Sequence, residues 1–265
     1  MYEFTWVGSQ ESFVDIPSIQ ELGSIVIGRH GGNSSSGQTK NEDGCLVWQN
    51  KFEDWEFITL LDAHHTSESA DLILTTFTSK KRELQSVLSQ PIGTCFARIE
   101  ETILGIFKSK EFLAACKQIT GETACLIVFR KDKYLWWFSV GDNLLYLFHP
   151  ELIALGQYQI NQRHFYEWIG QVNTFNQPVP CFSSGRKELR KGNNHLIVTT
   201  DGLVECPSEP YINPEEISKV FINQTNVEGV TSLLENIRIR NVRDSTTIIS
   251  WFVKTTKEAT LPSNK

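Results

Sequence analysis

The sequence predicts a layered α+β fold, on three observations. Short runs rich in β-branched and aromatic residues come in pairs joined by polar turns, the pattern of antiparallel strands. Two amphipathic helical stretches sit together in the middle of the chain with strand pairs on either side, which disfavours the strict βαβ order of a parallel sheet. With 265 residues and 40% hydrophobic content, the chain can build one substantial core, so a single domain is expected over residues 1–253.

Residues 3–7 and 24–27 read as short strands, followed by a glycine- and serine-rich loop over 31–37. Residues 45–49 and 55–61 are extended runs separated by a polar turn at 50–54, an expected antiparallel hairpin. The period then changes. Ala70, Ile73, Leu74, Phe77, Leu84, Val87 and Leu88 recur three, four and seven apart, marking a helix over 70–88 capped at Ser67. Phe96, Ile99, Ile103, Ile106 and Phe107 repeat that spacing in a second helix, and each helix needs a sheet face to cover. Strands return at 124–129 and 134–140, joined by the charged turn 130–133, and continue at 144–148. Residues from about 150 to 194 hold neither period and read as an insertion or flap. A strand at 195–200, helical stretches at 214–221 and 227–239, and a last strand at 246–253 complete the domain, leaving 254–265 as a polar, mobile tail.

A net charge of −6 with no concentrated basic footprint argues against nucleic acid and anionic membrane surfaces as partners. The first residues lack a basic and apolar leader, and no apolar run approaches the ~20 residues of a membrane helix. A cytoplasmic, monomeric protein is expected. The six cysteines form no C-x-x-C pair, which removes the usual zinc and thioredoxin spacings. Cysteine-dependent phosphatase chemistry needs an arginine after five intervening residues, whereas Cys125 and Cys181 reach Arg130 and Arg186 after only four.

Four apolar strand runs meet an aspartate at one end: Asp62, Asp142, Asp201 and Asp244. Strand tips are rigid, so carboxylates placed there can be held together against repulsion by a cation between them. Oxygen donors without thiolates suit hard ions such as magnesium and manganese.

The order of the surrounding motifs resembles the metal-dependent type-2C (PPM-type) protein serine/threonine phosphatases. They are Lys40-Asn41-Glu42-Asp43-Gly44, Asp62-Ala63-His64-His65, Gly121-Glu122-Thr123-Ala124, Gly141-Asp142-Asn143, Asp201-Gly202-Leu203-Val204-Glu205 and Asp244-Ser245-Thr246, spread over residues 23–253. The resemblance implies two packed antiparallel sheets flanked by helices, an α-β-β-α sandwich, with a two-metal centre at one end. It implies that Asp62 bridges both Mn2+ or Mg2+ ions, that the Ala63 carbonyl completes one site, and that Asp201 and Asp244 hold the other. Glu42 and Asp43 would orient metal-bound waters, and Asp142 with Asp201 matches a third, looser ion. The implied activity is hydrolysis of phosphoserine and phosphothreonine in phosphoproteins by direct attack of a metal-bridging water, with His64 as general acid.

Five positions depart from the family pattern, one of them Ala63, which stands where the family has a glycine. Gln38 stands where the family has a phosphate-gripping arginine, so a charge is missing there, and Arg29 and Lys40 are the local candidates to replace it. Glu122 replaces a serine, Ser245 an asparagine and His65 a glycine. Gln38, Ala63 and His65 together motivate an alternative, a catalytically weakened module acting in regulation or binding.

Overall fold

The computed structural model describes residues 1–263. In chain order the strands β1 (Tyr2–Val7), β2 (Ser18–Leu22), β3 (Ile25–His30), β4 (Gly44–Asn50) and β5 (Trp55–His64) are followed by helices α1 (Glu68–Ser79), α2 (Lys81–Leu88), α3 (Ile92–Phe107) and α4 (Lys110–Cys116). Strands β6 (Glu122–Lys131), β7 (Tyr134–Val140) and β8 (Leu144–Phe148) come next, then the short helix α5 (Pro150–Ile153) and strands β9 (Ile169–Gly170) and β10 (Ser183–Glu188). The chain ends with β11 (Gly192–Thr199), α6 (Pro214–Val220), α7 (Asn226–Ile239) and β12 (Thr246–Thr255).

Two antiparallel sheets result, one of seven strands in the order β1-β4-β5-β6-β7-β10 with β9 beside β6, the other of five in the order β2-β3-β12-β11-β8. The alternation of side chains along each strand divides the core into three layers. On β5, Phe57 and Leu61 face the layer under α1–α4, while Ile58 and Leu60 face the second sheet. On β12, Ile249 and Trp251 face the first sheet, and Ile248 packs under α7 with Val230 and Leu234. The α-β-β-α sandwich is therefore the observed fold.

The helix expected over 70–88 is two helices broken at Lys80. The break has a local cause: hydroxyls in the preceding turn compete for main-chain carbonyls, Thr76 Oγ1 donating to Leu72 O at 2.7 Å and Ser79 Oγ to Thr76 O at 2.7 Å. Helix α4 begins where Ser109 Oγ accepts from Phe112 N at 3.2 Å, a serine cap within a stretch too short to show a period.

Residues 150–194 are more ordered than their lack of period suggested. Ser183–Glu188 pairs with β7 as the edge of the first sheet, and Phe175 and Phe182 pack on Phe138. The polar tail is also held. Lys257 Nζ pairs with Asp132, Lys133 Nζ donates to Glu258 O at 2.8 Å, and Thr260 N donates to Glu188 Oε2 at 3.0 Å. Residues 264–265 of that tail lie outside the described residues.

Candidate metal centre

Strand parity aims the acidic tips into the space between the sheets. Asp62 continues the inward face of Ile58 and Leu60, and Asp43 precedes Cys45 and Val47, which face inward on β4. From the second sheet, Thr247 precedes Ile249 and Trp251 on the inward face of β12, so its hydroxyl reaches across the gap and donates to Asp43 Oδ2 at 2.7 Å. Thr200 Oγ1 reaches the same oxygen at 3.3 Å. Asp43 thus joins both sheets at the site end.

Asp201 opens a short helical turn, Asp201–Leu203, immediately after β11. Glycine at 202 is required there: a Cβ would lie 2.3 Å from the Ser245 carbonyl, so only glycine lets the Asp201 turn press against the Asp244 loop. At Asp244 itself the Ser245 amide donates to Oδ1 at 2.8 Å. Asp142 is presented by Gly141, whose φ of +91° brings the turn against Ala124.

These carboxyls crowd one another. Burial and then the charges of Asp201, Asp43, Asp244 and Asp142 push Asp62 well above the usual carboxylate range. Asp201 is pushed up to about 8, by burial first and then by Asp244, Asp142 and Glu205. Asp43 also reaches about 8, mainly by burial, although the Thr247 hydroxyl pulls the other way. Asp244 stands at the mouth with part of its surface open while its carboxyl lies deep among neighbouring atoms. That crowding raises it against the Ser245 amide and the nearby His64 charge.

A cation is what such a cluster lacks. One oxygen of each of Asp43, Asp142 and Asp201 is buried without a hydrogen-bond partner, which is costly unless something positive binds there. The donors are all oxygen and all acidic, matching hard divalent ions and fitting the group the motifs implied. Among the described residues, no three His, Cys, Asp or Glu side chains are already closed around one point. Asp62 and Asp244 open onto a cleft of about 740 Å³, with the other carboxyls behind it.

No protein-family model and no curated protein matches the sequence. Solved structures do. A bacterial serine phosphatase superposes with a TM-score of 0.65 at 15% identity, over 88% of this chain and 98% of that one. The serine/threonine phosphatase Stp1 from Staphylococcus aureus gives 0.61 at 15% identity, over 82% and 91%. RsbX, solved in complex with magnesium, gives 0.55 at 13% identity, over 90% and 100%.

The chain has the PPM-type phosphatase fold.

Within that PPM-type fold, the cleft is lined by Gln38, Lys40, Glu42, Asp62, Ala63, His64 and Asp244 together, with Asp43, Asp142 and Asp201 in the cluster behind it. Alanine at 63 is accommodated, because its methyl is buried in the core layer under the α1–α4 helices. His64 is exposed at the cleft, its ring 4.7 Å from that of Trp168. His65, at the family's glycine position, has a φ of +77° that an L side chain adopts only with strain.

Arg29 is a correction. It continues the inward face of Ile25 and Ile27 on β3, is buried, stacks on Phe4, Trp6 and Phe13, and donates to Ser18 Oγ at 3.0 Å. It cannot reach a phosphate in the cleft. Lys40 lies at the cleft but is engaged, donating to Glu42 Oε1 at 2.7 Å and His65 O at 2.6 Å. Gln38 also lines the cleft, with its Oε1 accepting from Thr39 N at 3.2 Å.

Three residues in or beside the site escaped the sequence reading: Trp168 against His64, Arg163 against Asp142 and Asp201, and Arg243 in the cleft wall. Trp168 and Arg163 come from the aperiodic segment, where no spacing marks them. Arg243 lines the cleft next to Asp244; a Cβ on Gly32 would meet both the Arg243 carbonyl, at 2.1 Å, and Gln38 Cγ, at 3.0 Å, so Arg243 and Gln38 are close neighbours.

Proposed function

We propose that the protein is a phosphoprotein phosphatase acting on phosphoserine or phosphothreonine with bound manganese or magnesium. The observation that carries this reading is the convergence of four strand-end aspartates in one mutually repelling cluster, Asp62, Asp142 and Asp201 buried and Asp244 at the mouth of the cleft, in a fold shared with serine/threonine phosphatases. Asp62, the Ala63 carbonyl, Asp201 and Asp244 would hold two ions, and Glu42 and Asp43 would orient water beside them. Such a pair of ions would supply a water of lowered pKa and neutralise charge on the phosphoryl oxygens.

The chain's own groups complete the chemistry. His64 stands at the open side of the cleft, held against Trp168, where it can protonate the departing serine or threonine alkoxide. Arg243, exposed and adjacent to Gln38, would supply the cation that Gln38 lacks for gripping the phosphate. The engagement of Lys40 by Glu42 and His65 favours the second reading, a weakened enzyme retained for binding or regulation.

The test is release of phosphate from p-nitrophenyl phosphate and from a phosphothreonine peptide, with manganese and with chelator. Manganese-dependent hydrolysis of both supports an enzyme. Folded protein that binds manganese and phosphopeptide without turnover would establish the weakened module instead.

A further inference from the structure

The carboxylates behind the cleft already own one positive charge. Arg163 Nη2 lies 2.5 Å from Glu205 Oε1, 3.1 Å from Asp201 Oδ2 and 3.4 Å from Asp142 Oδ2, a single nitrogen facing three acidic side chains. Its guanidinium carbon also sits 4.8 Å from the Phe165 ring centroid. The arginine is delivered there by a fixed anchor. Asn161 is buried, accepts from Leu145 N at 2.8 Å, and donates to Asn143 O at 2.7 Å and Ser139 Oγ at 3.3 Å. On the other side, His164 N donates to Gly141 O at 3.0 Å. The segment is therefore stitched to the very turn that carries Asp142, with Arg163 between the stitches.

We propose that Arg163 is a built-in cation occupying the Asp142–Asp201 side of the centre, so that this protein binds two divalent ions and no third. This rests on the phosphatase reading for the two ions themselves. A guanidinium cannot leave as a hydrated ion can, so the charge beside Asp201 is permanent and does not vary with metal concentration. Arg163 would act through Asp201 and is a positioning residue: it fixes the Asp201 carboxylate while that group's free oxygen remains available to an ion.

The experiment is a count of bound manganese by equilibrium dialysis and elemental analysis, from micromolar to several millimolar free Mn2+, with folding checked by circular dichroism. The wild type should plateau at two ions per chain, and Arg163→Ala should gain a third at millimolar concentration. Asp142→Asn should leave the wild-type count at two, yet return Arg163→Ala from three to two. Arg163→Gln serves as the second variant if the alanine form does not fold. A wild-type count of three, or folded Arg163 variants that stay at two, overturns the proposal while leaving the phosphatase reading intact. A wild type that binds no manganese overturns both.

Discussion

Removing the charge at Asp201 should stabilise the metal-free protein while abolishing its response to metal. The folded state keeps the Asp201 proton up to about pH 8, whereas the unfolded chain releases it near the ordinary 3.8, so metal-free stability falls as pH rises between those values and levels off above them. At about 1.36 kcal/mol per unit, keeping Asp201 protonated in the folded state while the unfolded chain is ionised opposes folding at pH 7 by roughly 4 kcal/mol. Asparagine removes that opposition but also a charged hydrogen bond to Arg163, which contributes about 2 kcal/mol the other way. The remainder, about 2 kcal/mol, should raise the melting temperature of Asp201→Asn by roughly 4–8 °C in chelator at pH 8. The gain should shrink toward zero at pH 5, close to the unfolded value, where the unfolded chain gains little by releasing that proton. Manganese at about 100 times its dissociation constant adds about 2.7 kcal/mol to the wild type by mass action and should add far less to the variant. Differential scanning calorimetry at the two pH values, with and without manganese, reads all four conditions. A variant that melts below the wild type in chelator at pH 8, or a gain unchanged between pH 8 and pH 5, would refute electrostatic crowding as the reason this site needs a cation.

His64→Ala should slow hydrolysis of a phosphothreonine peptide at least tenfold more than that of p-nitrophenyl phosphate, whose leaving group needs no proton; equal losses in kcat would remove His64 as the acid. His65→Gly relieves a left-handed backbone and should stabilise the chain by about 1 kcal/mol in urea unfolding, an expectation defeated by any loss of stability. His195 lies between the Phe221 and Phe252 rings, where burial pushes it down to about 3. Its contribution to stability is full above the unfolded value near 6.5 and is lost as pH falls toward 3. His195→Gln should therefore flatten the acid limb of the stability profile measured by urea unfolding between pH 7 and pH 4; an unchanged slope would count against it.

The strand tips were legible because two regularities coincide on them. Each aspartate ends a run whose alternation assigns it a face, and the motifs fix their order along the chain. The same alternation places Arg29 on the inward face of Ile25 and Ile27, a signal outweighed in the sequence by the nearness of Arg29 to the glycine-serine loop. Arg163 was illegible for a different reason. Its position depends on Asn161 bonds to residues 16 to 22 positions away, and no local period encodes contacts of that range. The break at Lys80 is intermediate: Thr76 and Ser79 can disturb a helix, but apolar spacing alone runs straight through them.

The C-terminal tail gives the sandwich a mechanical polarity. Lys257 pairs with Asp132 and Lys133 reaches Glu258, both at the turn of the first sheet, while Lys191, just before β11 of the second sheet, pairs with the same Glu258. The tail is thus a clasp across the end opposite the aspartates, made of the chain itself and indifferent to metal. At the aspartate end the sheets are joined by the hydroxyls on Asp43 and pushed apart by like charge. The molecule is built like a clothes-peg, sprung at one end and closed at the other by the ions it is proposed to bind.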